Sequence, residues 1–75
     1  MNLKNCQKNT LLRVISINLD DLKLKLRLYE IGFFPSSIIQ ILKYSSLKNT
    51  MLVQVLDSCF AIKANIASGI EVEYA

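Results

Sequence analysis

Histidine and tryptophan are absent from the chain, which holds only two glycines, one proline and two cysteines. Each shortage excludes something. Without an imidazole, no Ser or Cys has the neighbouring base that activates it as a nucleophile. Fe(II) favours imidazole and carboxylate ligands, and the acids Asp20, Asp21, Glu30, Asp57, Glu71 and Glu73 have no histidine to join. Cys6 and Cys59 supply two of the four ligands that a structural zinc site takes. They read as small, semi-buried hydrophobes rather than a disulfide framework. No glycine-rich GxxxxGK[ST] loop is present, which removes nucleotide hydrolysis. The sequence therefore predicts no enzyme, no cofactor and no metal site within one chain. Nor is there an uninterrupted run of about 18 apolar residues to span a bilayer. No apolar stretch behind Met1 to Asn5 could serve as a signal peptide, so the cytoplasm is the expected compartment.

What the chain does have is hydrophobicity. Of its 75 residues, 52% are hydrophobic, too many for a disordered tail and enough for one small domain. A domain this short buries only about 60–65% of its unfolded surface, so its core must be tight or helped by a partner. Nine Lys and Arg against six Asp and Glu give a net charge of +3. The basic residues are scattered except for Lys23, Lys25 and Arg27, a solvated face rather than the basic, aromatic-interleaved stripe of a nucleic-acid binder. No nucleic-acid partner is expected.

Met1 to Thr10 is polar and reads as a loose lead-in (1-10), with a single domain over 11-75. Leu11 to Ile17, Ser37 to Tyr44, Met51 to Leu56, Cys59 to Lys63 and Ile70 to Tyr74 read as five short strands, the third and fourth joined by a turn at Asp57-Ser58. Five short strands in so small a chain indicate a small barrel or a strongly curled sheet.

Between the first two strands, Leu22, Leu24, Leu26 and Leu28 alternate with Lys23, Lys25 and Arg27, a strand-like period. Residue type points the other way. No β-branched residue occurs from Leu19 to Glu30, Asn18 or Asp20 can cap a helix start, and Gly32 stands where a left-handed C-terminal cap belongs, with Pro35 beyond it. A helix is expected. On it Leu24, Leu28 and Ile31 share one face and Leu22, Leu26 and Tyr29 roughly the opposite one. A helix on a small barrel buries one face, so the other row needs a cover. Two readings stand: the lead-in, with Leu3, folds over it, or it is a contact surface for another chain. A membrane-surface helix is a third, weakened because opposed rows cancel much of the moment.

The stretch Leu24, Arg27, Leu28, Ile31, Gly32, Phe33 and Pro35 resembles the signature of the FeoA family, the ferrous iron transport protein A domain: Leu-x-x-Arg-Leu-x-x-Leu-Gly, then an apolar residue and Pro-Gly, leading into a strand. Ile38-Ile39-Gln40-Ile41-Leu42 is similar to that strand, Phe60-Ala61-Ile62-Lys63 to a later one, and Ala67, Ile70 and Val72 to the closing spacing of the family. The resemblance covers roughly residues 11 to 74. Four positions depart from the pattern. Ser36 stands for Gly after the proline, Lys48-Asn49-Thr50-Met51 for a Gly-x-Pro turn, Lys8-Asn9 carries no Pro-Gly, and Lys63 replaces an arginine.

The resemblance implies a mainly β fold, a small five-stranded SH3-like β-barrel with one α-helix inserted after the first strand and a short helical turn before the last. It also implies a small cytoplasmic accessory protein of bacterial ferrous iron uptake, docked on the FeoB transporter, either on its cytoplasmic GTPase domain or on its membrane part. The membrane is then reached only through the partner. Leu22, Leu26, Arg27 and Tyr29 are the candidate partner-binding residues. A homodimer through the same apolar face is a second expectation. The alternative to the transporter adaptor is a small metal-responsive or self-associating SH3-like module that binds a transition metal or another protein, with a nucleic-acid-binding barrel a weaker reading behind it.

Overall fold

The computed structural model describes residues 1–47 and 49–75. Five strands form one antiparallel sheet: β1 (Leu11–Ile17), β2 (Ile38–Ser45), β3 (Thr50–Val55), β4 (Ser58–Lys63) and β5 (Ile70–Tyr74), in the spatial order β4-β3-β2-β1-β5. The helix α1 (Leu22–Glu30) joins β1 to β2, and the four-residue α2 (Ala64–Ala67) joins β4 to β5. The two edge strands are thus consecutive in sequence, and the connection between them bends the sheet into a small barrel. The extents of the domain, 27 × 26 × 24 Å, are those of a curled sheet rather than a flat one.

Period-two patterning builds the interior. Leu12, Val14 and Ile17 of β1, Ile39 and Ile41 of β2, Met51, Val53 and Val55 of β3, Ile62 of β4, and Ile70 and Val72 of β5 all point inwards and are buried. In β1 strict alternation from Val14 would turn Ser16 inwards and Ile17 outwards. A bulge between Val14 and Ser16 corrects this, leaving Ile15 outside and returning Ile17 to the core.

Two local expectations shift. The hairpin between β3 and β4 turns at Leu56-Asp57, one residue earlier than Asp57-Ser58, because Val55 already pairs with Ser58. Leu56 takes φ +56° there, in the left-handed region. The helix cap is Asp21 rather than Asn18 or Asp20: its Oδ1 accepts the Leu24 N–H at 3.2 Å. Asn18 is held elsewhere, donating its N–H to the Gly69 carbonyl at 2.7 Å.

The first ten residues are packed rather than loose. Leu3–Asn5 forms a 3-10 turn against α2 and β5. Leu3 is 0% exposed and Cys6 is buried with it in the core. The Val72 N–H bonds to the Met1 carbonyl at 2.8 Å, Asn2 bridges to Glu71, and the Tyr44 hydroxyl donates to the Cys6 carbonyl. The segment thereby lies against β5 and α2.

Candidate functional site

The helix is where the fold leaves material over. Its C-terminus is fixed by two bonds of a Schellman motif, Phe33 N–H to the Leu28 carbonyl at 2.9 Å and Gly32 N–H to the Tyr29 carbonyl at 3.2 Å. Gly32 sits at φ +107° with no room for a side chain, since a Cβ there would lie 2.8 Å from Val55 Cγ1. Leu28 and Phe33, the two side chains that accompany this motif, are both buried. That clamp sets the rotation of α1. Leu28 is 4% exposed, and Ile31 packs against the core. Leu24 is half-buried beside them.

The opposite row is bare: Leu22 is 65% exposed, Leu26 52% and Tyr29 37%. Leu3, the residue that could have covered it, lies in the core instead. Arg27 is also exposed but does not belong to this row. It stands 100° around the helix from Leu26 and lines a cleft of about 400 Å³ between α1 and β4, with Leu24, Ile31, Phe60, Lys63 and Ile66. Of the four candidate partner-binding residues, three therefore share a face and Arg27 faces the neighbouring cleft. The remaining motif positions lie mostly in the framework. Phe33, Ala67, Ile70 and Val72 are buried, while Pro35 is exposed at the second position of a turn closed by Ser37 N–H to the Phe34 carbonyl at 3.0 Å.

Sequence reasoning missed a second apolar surface. Leu11, Phe34, Ile38 and Leu56 are exposed around a shallow groove on the outer side of β1, β2 and β3. Leu11 and Ile38 occupy outward positions of their strands, a signal present in the alternation and readable there.

Among the described residues, no group of three or more His, Cys, Asp or Glu is placed to hold a metal ion. The two cysteines are free thiols in different settings. Cys6 is buried and donates to the Asn2 carbonyl at 3.3 Å, whereas Cys59 is exposed on β4 and not semi-buried, because an edge-strand residue pointing away from the core has nothing above it. Burial pushes the Cys6 thiol up from its ordinary value, with the chain's amino group opposing and Glu71 adding to the shift. Burial likewise raises the Tyr44 hydroxyl, to which Cys6 adds. Among the described residues no helix is long and apolar enough to cross a membrane.

The model of the FeoA domain matches residues 1–74. This chain belongs to the FeoA domain family. Its fold agrees with solved structures of FeoA proteins. The FeoA protein from Chlorobium tepidum has a TM-score of 0.90 at 20% identity, covering 99% of this chain and 70% of that one. Iron(II) transport protein A from Clostridium thermocellum gives 0.88 at 22%, covering 99% of this chain and 45% of that one. The zinc complex of Stenotrophomonas maltophilia FeoA, described as an SH3 domain protein, gives 0.82 at 23%, covering 97% and 89%. None of the curated proteins compared matches the chain.

Set against the FeoA pattern, the turns where this chain departs from it keep glycine-like backbone. Asn9 (φ +66°), Ser36 (φ +82°) and Asn49 (φ +53°) all lie in the left-handed region, at or beside the places where the pattern has glycine. Asparagine tolerates that region better than other residues with a side chain. Lys48 of the third turn lies outside the described residues.

Proposed function

We propose that this FeoA-family chain is a small accessory protein of ferrous iron uptake that docks on an FeoB-type transporter and modulates it. The carrying observation is the uncovered row Leu22, Leu26 and Tyr29, held rigidly by the Gly32 clamp in a family tied by name to ferrous iron transport. A helix face with two exposed leucines and a tyrosine is the kind of anchor set from which interfaces draw their binding energy. The Stenotrophomonas maltophilia neighbour has itself been proposed as a bacterial ferrous iron transport activating factor, which supports the same reading here. Docking on the inner face of the membrane through the transporter gives the cytoplasmic placement this role requires.

The test is a nitrogen-15 NMR titration with the GTPase domain of the transporter from the same organism. Saturable shifts confined to Leu22 through Tyr29 are expected. The Leu26→Glu variant should lose the interaction and keep a native spectrum. Loss of the native spectrum in that variant would show instead that the row is part of the core. An unaltered titration in a folded Leu26→Glu protein would remove the row from the interface.

A further inference from the structure

The cleft between α1 and β4 runs along the edge of a strand, not over its face. Four consecutive β4 residues, Phe60 to Lys63, line it. Successive strand residues point to opposite faces, so only the edge of β4 can present all four to one cleft. β4 is indeed terminal in the sheet, paired only with β3 among the described residues. The phase of that pairing is fixed by the bond from Ala64 N–H to the Asn49 carbonyl at 2.9 Å, with Val55 and Ser58 closing the two-residue turn at the other end. Hydrogen-bonded and non-bonded pairs alternate in an antiparallel ladder. Ser58, Phe60 and Ile62 therefore bond inwards to β3, and Cys59 and Ala61 turn their N–H and C=O outwards. Neither Cys59 nor Ala61 has another backbone partner among the described residues.

The walls of this cleft are chemically one-sided. Leu24, Ile31, Phe60 and Ile66 make them apolar, and the charged residues lining them, Arg27 and Lys63, are both cations. Neither forms an ion pair among the described residues; the two ion pairs are Met1–Glu71 and Arg13–Glu73. An unpaired strand edge is ordinarily blunted or covered. Here it is left open beneath a helix, with positive charge at its rim.

We infer that the α1–β4 cleft accepts an extended segment of a partner protein, carrying carboxylates between apolar residues, which adds to β4 as a sixth strand. Its backbone bonds to the outward groups of Cys59 and Ala61, its apolar side chains meet Leu24, Ile31 and Phe60, and its carboxylates meet Arg27 and Lys63. The inference goes beyond the transporter reading, because it assigns a mode of binding and a peptide chemistry whichever protein supplies the strand.

The probe is a capped heptapeptide, Thr-Ile-Glu-Val-Glu-Ile-Thr, titrated into the full nitrogen-15-labelled chain. Expected are saturable shifts at Cys59, Ala61 and Lys63, half-complete below about 1 mM, with slowed amide exchange at Ala61. The same peptide with Lys for Glu should bind at least about tenfold more weakly at low salt. Ala61→Pro removes an outward N–H at an edge position that tolerates proline, and should abolish the shifts. If that variant does not fold, a peptide N-methylated at its central residue makes the same test without touching the protein. No shifts up to the solubility limit, shifts on the Leu11–Ile38 surface instead, or binding indifferent to both proline and N-methylation would overturn the inference. So would concentration-dependent shifts of β4 without peptide, which would give the edge to a second copy of this chain. A failed peptide titration leaves the transporter titration standing, and the reverse holds equally.

Discussion

The two faces of α1 are made of nearly the same residues and have opposite fates. Leu24, Leu28 and Ile31 turn towards the barrel, whereas Leu22, Leu26 and Tyr29 turn away from it. Composition does not distinguish the rows, and neither does helix propensity. The Schellman clamp does, because Gly32 and Phe33 fix the helix by its end and so decide which leucines the core receives. Burying a leucine fully is worth about 1.5–3 kcal/mol over leaving it in water, and the outer row, 37–65% exposed, forgoes about half of that. Under the proposed docking, that exposed apolar surface is what the partner covers. The comparison can be broken in several places, most sharply where the buried row is most buried.

Leu28→Ala deletes a side chain that is 4% exposed, and should cost about 2–5 kcal/mol by urea denaturation. A loss under about 1 kcal/mol would show a core able to collapse around the gap and would erase the contrast between the rows. Gly32→Ala attacks the clamp itself. At φ +107° with a Cβ 2.8 Å from Val55 Cγ1, the substitution strains backbone and neighbour together and should cost about 1–3 kcal/mol. Its thermal melting point should fall, and amide shifts should spread through Leu28 and Phe33 without reaching the far end of β2.

Much of this architecture was legible because it rests on period and cap chemistry. β1 has the bounds its short β-branched run predicts and β5 those its alternation predicts, the other three strands shift by a residue or so at their ends, and the Gly32 cap stands where glycine followed by proline pointed. The period-two leucines of α1 gave the wrong local signal, and residue type overruled it correctly. What stayed hidden depends on distant partners. Leu3 and Cys6 are two apolar residues in a polar stretch, and nothing local says that α2 and β5 leave a place for Leu3. Leu56 at a positive φ breaks the preference of its residue type, so the β3–β4 turn was displaced by one residue. At the candidate site, the exposure of one leucine row followed from helix geometry, whereas the α1–β4 cleft required knowing that β4 ends the sheet.

Cys6 and Tyr44 extend the contrast to the N-terminal segment, which belongs with the buried row. Both groups are raised above their ordinary values of 9.0 and 10.0, chiefly by burial. Below those values folded and unfolded chains both keep the proton, and pH has no effect through these groups. Above them the unfolded chain releases it first, so stability should decline as the solution becomes alkaline through and beyond that range. Urea midpoints measured from neutral pH to about 10 should fall, and Cys6→Ala should flatten the decline. A smaller effect of opposite sign is expected at the turn after the clamp. Ser36 holds φ +82° with a side chain, where glycine would not be strained, so Ser36→Gly should stabilise by about 0.5–1 kcal/mol. A destabilised variant would mean that the seryl side chain contributes more than the backbone strain costs.

The smallest expected effect sharpens the comparison most. Leu26→Gln replaces an outer leucine that is 52% exposed with a side chain of similar length and similar helix propensity. With little apolar area to lose and no cavity to create, stability should change by no more than about 0.5 kcal/mol. Set beside Leu28→Ala, the pair measures what the rotation of α1 is worth, since the two residues stand only two positions apart on a single helix. A loss comparable to that of Leu28→Ala would mean that the outer row is covered in solution, and sedimentation of the same variant would identify the cover. A dimer that dissociates on the substitution would assign it to a second copy. An unchanged monomer would require the N-terminal segment to leave its place beside α2 and pack on the helix. Near-neutrality is the outcome that frees Leu26 from any duty in folding.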